Sequence, residues 1–340
     1  MQSIVLTTPG HFDLVDAPAP DAPGPNEAQV RVHRVGICGT DLHAFAGRQP
    51  FFTYPRILGH ELAVEIVAFG PTDMAHDLKI GDHCCIRPYL NCGTCGACLR
   101  GYDNCCTRLQ VLGVHRDGGM RDLINVPIDK LHISTLPDEQ LALVEMLSIG
   151  VHAVRRAQII PGEFTLVIGV GPIGLGVSQF ACLAGARVIV MDVSESRLTF
   201  ARQQPGIEFG IDAKQDVLEQ LKAILPDDLP TAVFDATGNA QSMMNAFRYT
   251  AHGGRLTFAG LFQGDVTFND PDFHRRELTL LASRNATKQD FNTVIQALET
   301  GTITIESWIT HHATPEQLVT DFPTWLDPSS GVVKAMLTLS

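Results

Sequence analysis

The chain has 340 residues, 45% of them hydrophobic and 18% charged, a globular composition with length for one large or two ordinary domains and a well-buried core. A formal net charge of −12 would repel phosphate backbones and anionic lipid, so neither nucleic acid nor a membrane surface is expected as a partner. Met1–Leu14 has no basic stretch ahead of an apolar core, and no apolar run approaches the roughly 18 residues that span a bilayer; the expected location is the cytoplasm.

The first 147 residues read as short strands, predicted at Ser3–Thr7, Glu27–Val35, Leu62–Phe69, His83–Arg87 and Leu123–Pro127, with Ala17–Pro25 as an exposed Pro-rich loop. Frequent glycine and proline between them predict a partly closed antiparallel barrel. Near Ile149 the texture changes. Apolar strands predicted at Phe164–Ile168, Arg187–Met191, Ala232–Ala236, Arg255–Ala259 and Leu278–Ala282 alternate with segments of helical periodicity, among them Ile173–Ala184 and Asn239–Tyr249. That alternation predicts a parallel sheet with helices on both faces. A last amphipathic helix is predicted at Lys288–Glu299, ahead of a tail of mixed pieces.

Within the second section, Gly169-Val170-Gly171-Pro172-Ile173-Gly174 follows an apolar strand and opens a helix. Gly169 permits the tight turn, Gly171 lets the backbone approach a pyrophosphate, and Gly174 lets helix and strand pack closely. The pyrophosphate would sit against the helix start at Pro172 and Ile173, where the free N–H groups begin with Ile173 because proline carries none. The next strand ends at Asp192, near the spacing of about 20 residues at which a carboxylate meets the ribose hydroxyls. Asp192 and Glu195 would repel a 2′-phosphate and Arg197 would soften that repulsion, so NAD is expected over NADP.

The chain has nine cysteines, which in a reducing compartment call for a reason other than disulfides. Five of them fall between Cys92 and Cys106. Cys92-x-x-Cys95-x-x-Cys98 with a fourth thiolate can close a tetrahedron around a structural zinc, and spacing leaves that place open between Cys105 and Cys106. A second group is Gly36-Ile37-Cys38-Gly39-Thr40-Asp41-Leu42-His43 with Gly59-His60-Glu61. Cys38, His60 and Glu61 offer one sulfur, one nitrogen and one oxygen, the three-ligand layout of a catalytic zinc. Such a zinc is a Lewis acid that eases loss of an alcohol's proton before hydride passes to a nicotinamide. Thr40 and His43 would carry the proton outward, and Asp41 would hydrogen-bond the free ring nitrogen of His60.

These motifs together resemble the zinc-containing medium-chain dehydrogenases over essentially the whole chain. The resemblance implies a GroES-like catalytic domain from both chain ends (1–147 and 288–340, with a zinc lobe at about 88–108) and a Rossmann NAD-binding domain at 148–287. It places Cys106 rather than Cys105 at the structural zinc. Within the family the pattern is similar to the polyol and threonine dehydrogenase branch, which implies Glu145 as an exchanging ligand of the catalytic zinc, direct or through water, with Glu61 or Glu145 as the third protein ligand. The sequence departs by carrying Met146 where that branch has proline.

Three stretches, Gly47–Arg56, Gly113–Gly119 and Ser283–Thr287, resemble bacterial L-galactonate and L-gulonate 5-dehydrogenases. The implied reaction oxidises C5 of a six-carbon sugar acid, with sorbitol-type polyols and L-threonine as alternatives. An aldonate carboxylate calls for a guanidinium, and Arg48, Arg116 and Arg284 are the candidates, with His115 as a further polar contact. The family also implies a homo-dimer or homo-tetramer. A non-catalytic NAD-binding descendant would be expected to lose Cys38, Thr40 or His60, and a zinc hydrolase would not need the complete fingerprint.

Overall fold

Alternating burial along Glu27–Gly36 shows how the first unit is built. Ala28, Val30 and Val32 are buried, as a period of two requires, and the phase then slips so that Val35 is the next core residue. The slip is a β-bulge: Val32 pairs with Val64 and Arg34 with Ala63, leaving His33 as the extra residue. The computed structural model describes residues 1–49 and 52–339; Pro50 and Phe51 of the Gly47–Arg56 stretch, and Ser340, lie outside the described residues.

The chain divides into two compact units, Met1–Glu145 with Thr287–Ser340, and Met146–Ala286. In the first, a seven-stranded sheet runs in the order Leu131–Ile133, His83–Ile86, Glu61–Phe69, Glu27–Gly36, Lys334–Thr338, Ile309–Ala313, with Leu123–Pro127 also on Glu27–Gly36. Its pairs are antiparallel except Ile309–Ala313 with Lys334–Thr338, which is parallel. A three-stranded sheet (His11–Asp16, Gln2–Thr8, Arg56–Ile57) shares its apolar core, which includes Ile4, Leu6, Val30, Leu62, Val64 and Phe322. The two chain ends are thus parts of one core.

The second unit holds a six-stranded parallel sheet in the order Ile207–Asp212, Arg187–Asp192, Phe164–Ile168, Ala232–Asp235, Arg255–Phe258, Thr279–Ala282. By sequence this is the 3-2-1-4-5-6 order of a dinucleotide-binding sheet, with the switch point beside Phe164–Ile168. The strand Ile207–Asp212 is absent from the sequence reading. Its six residues, IEFGID, mix charge and glycine into a half-buried pattern without an apolar run.

The sequence reading carries short β segments as far as residue 147, whereas Asp138–Ala157 is a twenty-residue helix. Asp138 and Glu139 at its start and Arg155 and Arg156 at its end complement its dipole. Glu145 is therefore a helical residue. Met146 keeps the N–H that a proline would delete from the helix interior.

Candidate active site

Strand Glu27–Gly36 delivers the chain to Cys38, which caps helix Gly39–Phe45. Its backbone N–H donates to Asp41 Oδ2 at 2.9 Å, so the helix start is tied down by the third residue of its own first turn. Gly36 faces Glu61 across the sheet, and a Cβ there would lie 2.2 Å from Glu61 Oε2; only glycine leaves room for that carboxylate. Gly59, at φ +94°, turns the chain so that His60 and Glu61 arrive side by side.

The ligand atoms of Cys38, His60 and Glu61 lie within 4.8 Å of one another. His60 and Glu61 are buried, and Cys38 is half-buried. His60 Nδ1 and Asp41 Oδ1 face each other at 3.8 Å, too far for a hydrogen bond, and each is buried without a hydrogen-bond partner among the described residues. Asp41 therefore lies beside the His60 ring as an ionic neighbour and spends its other oxygen on the Cys38 N–H. Burial works against a charged His60, but Cys38, Asp41 and Glu145 outweigh it and hold the imidazole well above its usual range. Burial pushes the carboxyls of Asp41 and Glu145 up. A thiol, an imidazole and several carboxylates crowded into low dielectric fit a divalent cation.

Glu145 stands outside that three-residue group. It accepts a short hydrogen bond from the Tyr89 hydroxyl, whose acidity is suppressed by burial and by the Glu145 charge. On helix Gly39–Phe45, Thr40 and His43 are three residues apart and so share one face. Thr40 is half-buried and His43 exposed. The surrounding chain and the Arg48 guanidinium hold the His43 imidazole below its usual range.

Cys92, Cys95, Cys98 and Cys106 form a second group, with sulfurs within 4.8 Å of one another, while Cys105 is exposed and outside it. The backbone N–H groups of Cys92 and Arg108 each donate to Cys106 Sγ at 3.3 Å, and that of Cys95 donates to Cys92 Sγ at 3.3 Å. Hydrogen bonds, from the Thr94 backbone first and the Arg108 side chain next, pull the Cys92 thiol down to about 5. Similar bonds from Cys98 and Thr107 bring Cys95 to about 6. Burial and its sulfur neighbours push the Cys98 thiol up to about 11, so the four do not share one acidity. Four sulfurs gathered by backbone donors, two of them eased toward thiolate, suit a closed tetrahedral zinc.

In the second unit, Gly169 has φ +85°, and a Cβ on Gly174 would lie 1.8 Å from Gly169 O, so neither accepts a side chain. Gly171 caps helix Pro172–Leu183, with Pro172 first and Ile173 second, and nothing within 4 Å of where its Cβ would stand. That open space lies above an uncapped helix start, as an approaching pyrophosphate requires. Asp192 ties the loop to the next strand: Oδ2 accepts the Val170 N–H and Oδ1 the Ser194 N–H, each at 2.8 Å. A cleft of about 430 Å³ opens beside it, lined by Gly169, Gly171, Asp192, Arg197, Thr237 and Tyr249 among others. Glu195 leans away to Arg202 at 3.3 Å.

Two family models match the chain: the alcohol dehydrogenase GroES-like domain at residues 24–138 and the zinc-binding dehydrogenase at 172–300. The chain belongs to the zinc-binding alcohol dehydrogenases. It is an alcohol or polyol dehydrogenase, with the GroES-like domain joined to a Rossmann-type sheet. It is 43% identical to the L-galactonate-5-dehydrogenase of Escherichia coli strain K12 over 85% of each chain. Among solved structures it is similar to the Escherichia coli CFT073 alcohol dehydrogenase rspB complexed with NADH (TM-score 0.92, 28% identity, covering 100% and 99% of the two chains). It is also similar to a Sinorhizobium meliloti protein bound to NADP (TM-score 0.88, 28% identity, 99% and 98% covered). No helix among the described residues is long and apolar enough to cross a membrane.

Sequence reasoning missed Lys334. Its ammonium is buried 2.5 Å from both carboxylate oxygens of Glu61 and donates to the Ile37 carbonyl at 2.8 Å. The signal was there: one charged residue inside the apolar tail Val332-Val333-Lys334-Ala335-Met336-Leu337. Arg48 and Arg116 are exposed in the first unit, and Arg284 belongs to the second, after strand Thr279–Ala282. His115 accepts the Val111 N–H on Nδ1 at 3.1 Å, so it holds its own loop.

Proposed function

We propose that the enzyme oxidises the C5 hydroxyl of a six-carbon sugar acid, L-galactonate or L-gulonate, to the ketone with NAD as hydride acceptor. The observation that carries the substrate class is the 43% identity to an L-galactonate-5-dehydrogenase over 85% of both chains. Cys38, His60 and Glu61 would hold the catalytic zinc, with Glu145 as a carboxylate in reserve, and Cys92, Cys95, Cys98 and Cys106 a structural one. Zinc, when bound, supplies a Lewis acid that makes the substrate hydroxyl more acidic.

The protein's own groups do the rest. Asp41 steadies the His60 ring, and Lys334 balances the charge of Glu61, which would otherwise be buried beside the carboxyls of Asp41 and Glu145 without a cation. Thr40 and His43 pass the hydroxyl proton along one helix face to solvent, and the lowered pKa of His43 keeps it neutral and ready to accept. The Gly169–Gly174 turn, with Pro172 and Ile173 opening its helix, receives the pyrophosphate. Asp192 accepts from the ribose hydroxyls and disfavours a 2′-phosphate, with Arg197 at the rim of the same cleft. Arg48, Arg116, Arg284 and His115 are the candidate contacts of the substrate carboxylate. The working form is a homo-dimer or homo-tetramer in the cytoplasm, where nine unpaired cysteines stay reduced.

A second reading, a neutral polyol as substrate, is favoured by 31% identity to a Bacillus subtilis sorbitol dehydrogenase and 33% to a D-altritol 5-dehydrogenase of Agrobacterium fabrum. Steady-state NAD reduction with L-galactonate, L-gulonate, sorbitol, altritol and L-threonine separates the two. A kcat/KM highest for the aldonates supports the proposal; a higher value for a neutral polyol overturns it.

A further inference from the structure

We propose that His33, His83 and Asp138 form an additional metal site, distinct from both zinc groups and binding a divalent ion of the zinc, nickel or copper kind. The three residues are far apart in sequence, and their ligand atoms lie within 4.8 Å of one another. His83 Nδ1 and Asp138 Oδ1 are 2.7 Å apart, and the rings of His33 and His83 stack with centroids 5.3 Å apart and 11° between planes. Behind them Glu65 Oε2 lies 3.3 Å from His33 Nε2, a carboxylate placed to orient a ligating imidazole.

The backbone is shaped to make this meeting. His33 is the extra residue of the bulge in Glu27–Gly36, and a bulge re-aims a side chain at the expense of regular pairing. Glu65 and His83 are cross-strand partners on the next two strands, and Asp138 opens helix Asp138–Ala157. Two imidazoles and a carboxylate favour a borderline transition ion over magnesium or calcium, which prefer all-oxygen shells. Side-chain exposures of 15% for His33, 21% for Asp138 and 43% for His83 leave the site sheltered but reachable. A bound ion takes the place of the hydrogen bond between His83 Nδ1 and Asp138 Oδ1 and clamps the start of the helix to the sheet. Neither the hydride reaction nor its metal is needed for this inference.

The test adds Co2+ to full-length protein loaded with only two zinc equivalents per chain, enough for the two thiolate-containing groups and none for the histidine site. The expected result is about one further equivalent bound, with visible d–d bands and no sulfur-to-cobalt charge-transfer band. His83→Gln should weaken that binding at least about tenfold while the zinc content and circular dichroism stay as in the parent. Should His83→Gln fail to fold, Asp138→Asn decides in the same way. No further equivalent, or a sulfur band with it, overturns the site; so does unchanged cobalt affinity in the folded variant.

Discussion

Replacing Lys334 by methionine should destabilise the first unit strongly, because it removes the cation while keeping the stem. Lys334 is 2% exposed and Glu61 is fully buried, with the two joined at 2.5 Å. Burial alone would lower the Lys334 pKa, but Glu61 and Cys38 reverse this and hold the ammonium charged. Without it, Glu61 is an uncompensated anion beside two further carboxyls, and breaking a buried pair from one side costs about 3–5 kcal/mol. For a unit of about 200 residues that is a fall in Tm of roughly 6–20 °C. Urea and thermal unfolding of metal-depleted protein are the assay, so that no ion replaces the lysine. Lys334→Met combined with Glu61→Gln should recover at least half of the loss, because neither charge is then buried. A single variant within about 1 kcal/mol of the parent, or a double variant no more stable than the single, would refute the reasoning.

Other outcomes follow from the same geometry. Cys106→Ser should lose one zinc equivalent by elemental analysis while Cys105→Ser keeps the parent's content; equal loss from both would mean the sulfurs are not gathered as described. Asp192→Ala should raise KM for NAD and narrow the preference over NADP, and unchanged selectivity would remove Asp192 from cofactor choice. Burial pushes the His132 imidazole down to about 4, although its bond to Asn292 opposes this. The unfolded chain then binds the proton first as pH falls from 6.5, so stability present above 6.5 is lost progressively down to about 4, by up to about 3 kcal/mol. His132→Gln should flatten that part of a urea-derived stability profile; an unchanged slope contradicts the assignment.

Local chemistry was the most legible part of the sequence. Gly169–Gly174, the cysteine run and the Cys38–His43 turn each lie within fifteen residues, and their spacing carries most of the local geometry, although the choice of Cys106 over Cys105 needed the family resemblance. What depended on distant partners was not legible. Lys334 meets Glu61 across 273 residues and Tyr89 meets Glu145 across 56. Nothing local to either pair specifies the other. The helix Asp138–Ala157 was missed for a different reason. Leu141, Val144, Leu147 and Val151 carry its periodicity, but the β texture before them extends the wrong expectation into it. The bulge at His33 was written in the sequence as the slip from Val30 and Val32 to Val35, a phase change that reads as noise until the partner strand is known.

Hydride transfer to NAD should require a metal held at Cys38 and His60. NAD reduction by L-galactonate and metal content should be measured on one preparation as zinc is stripped with a chelator and returned. Activity should fall with loss of the exchangeable zinc and return with it, while Cys38→Ser protein stays inactive at every zinc level. Full activity in protein shown to lack that zinc, or in Cys38→Ser, would contradict the account.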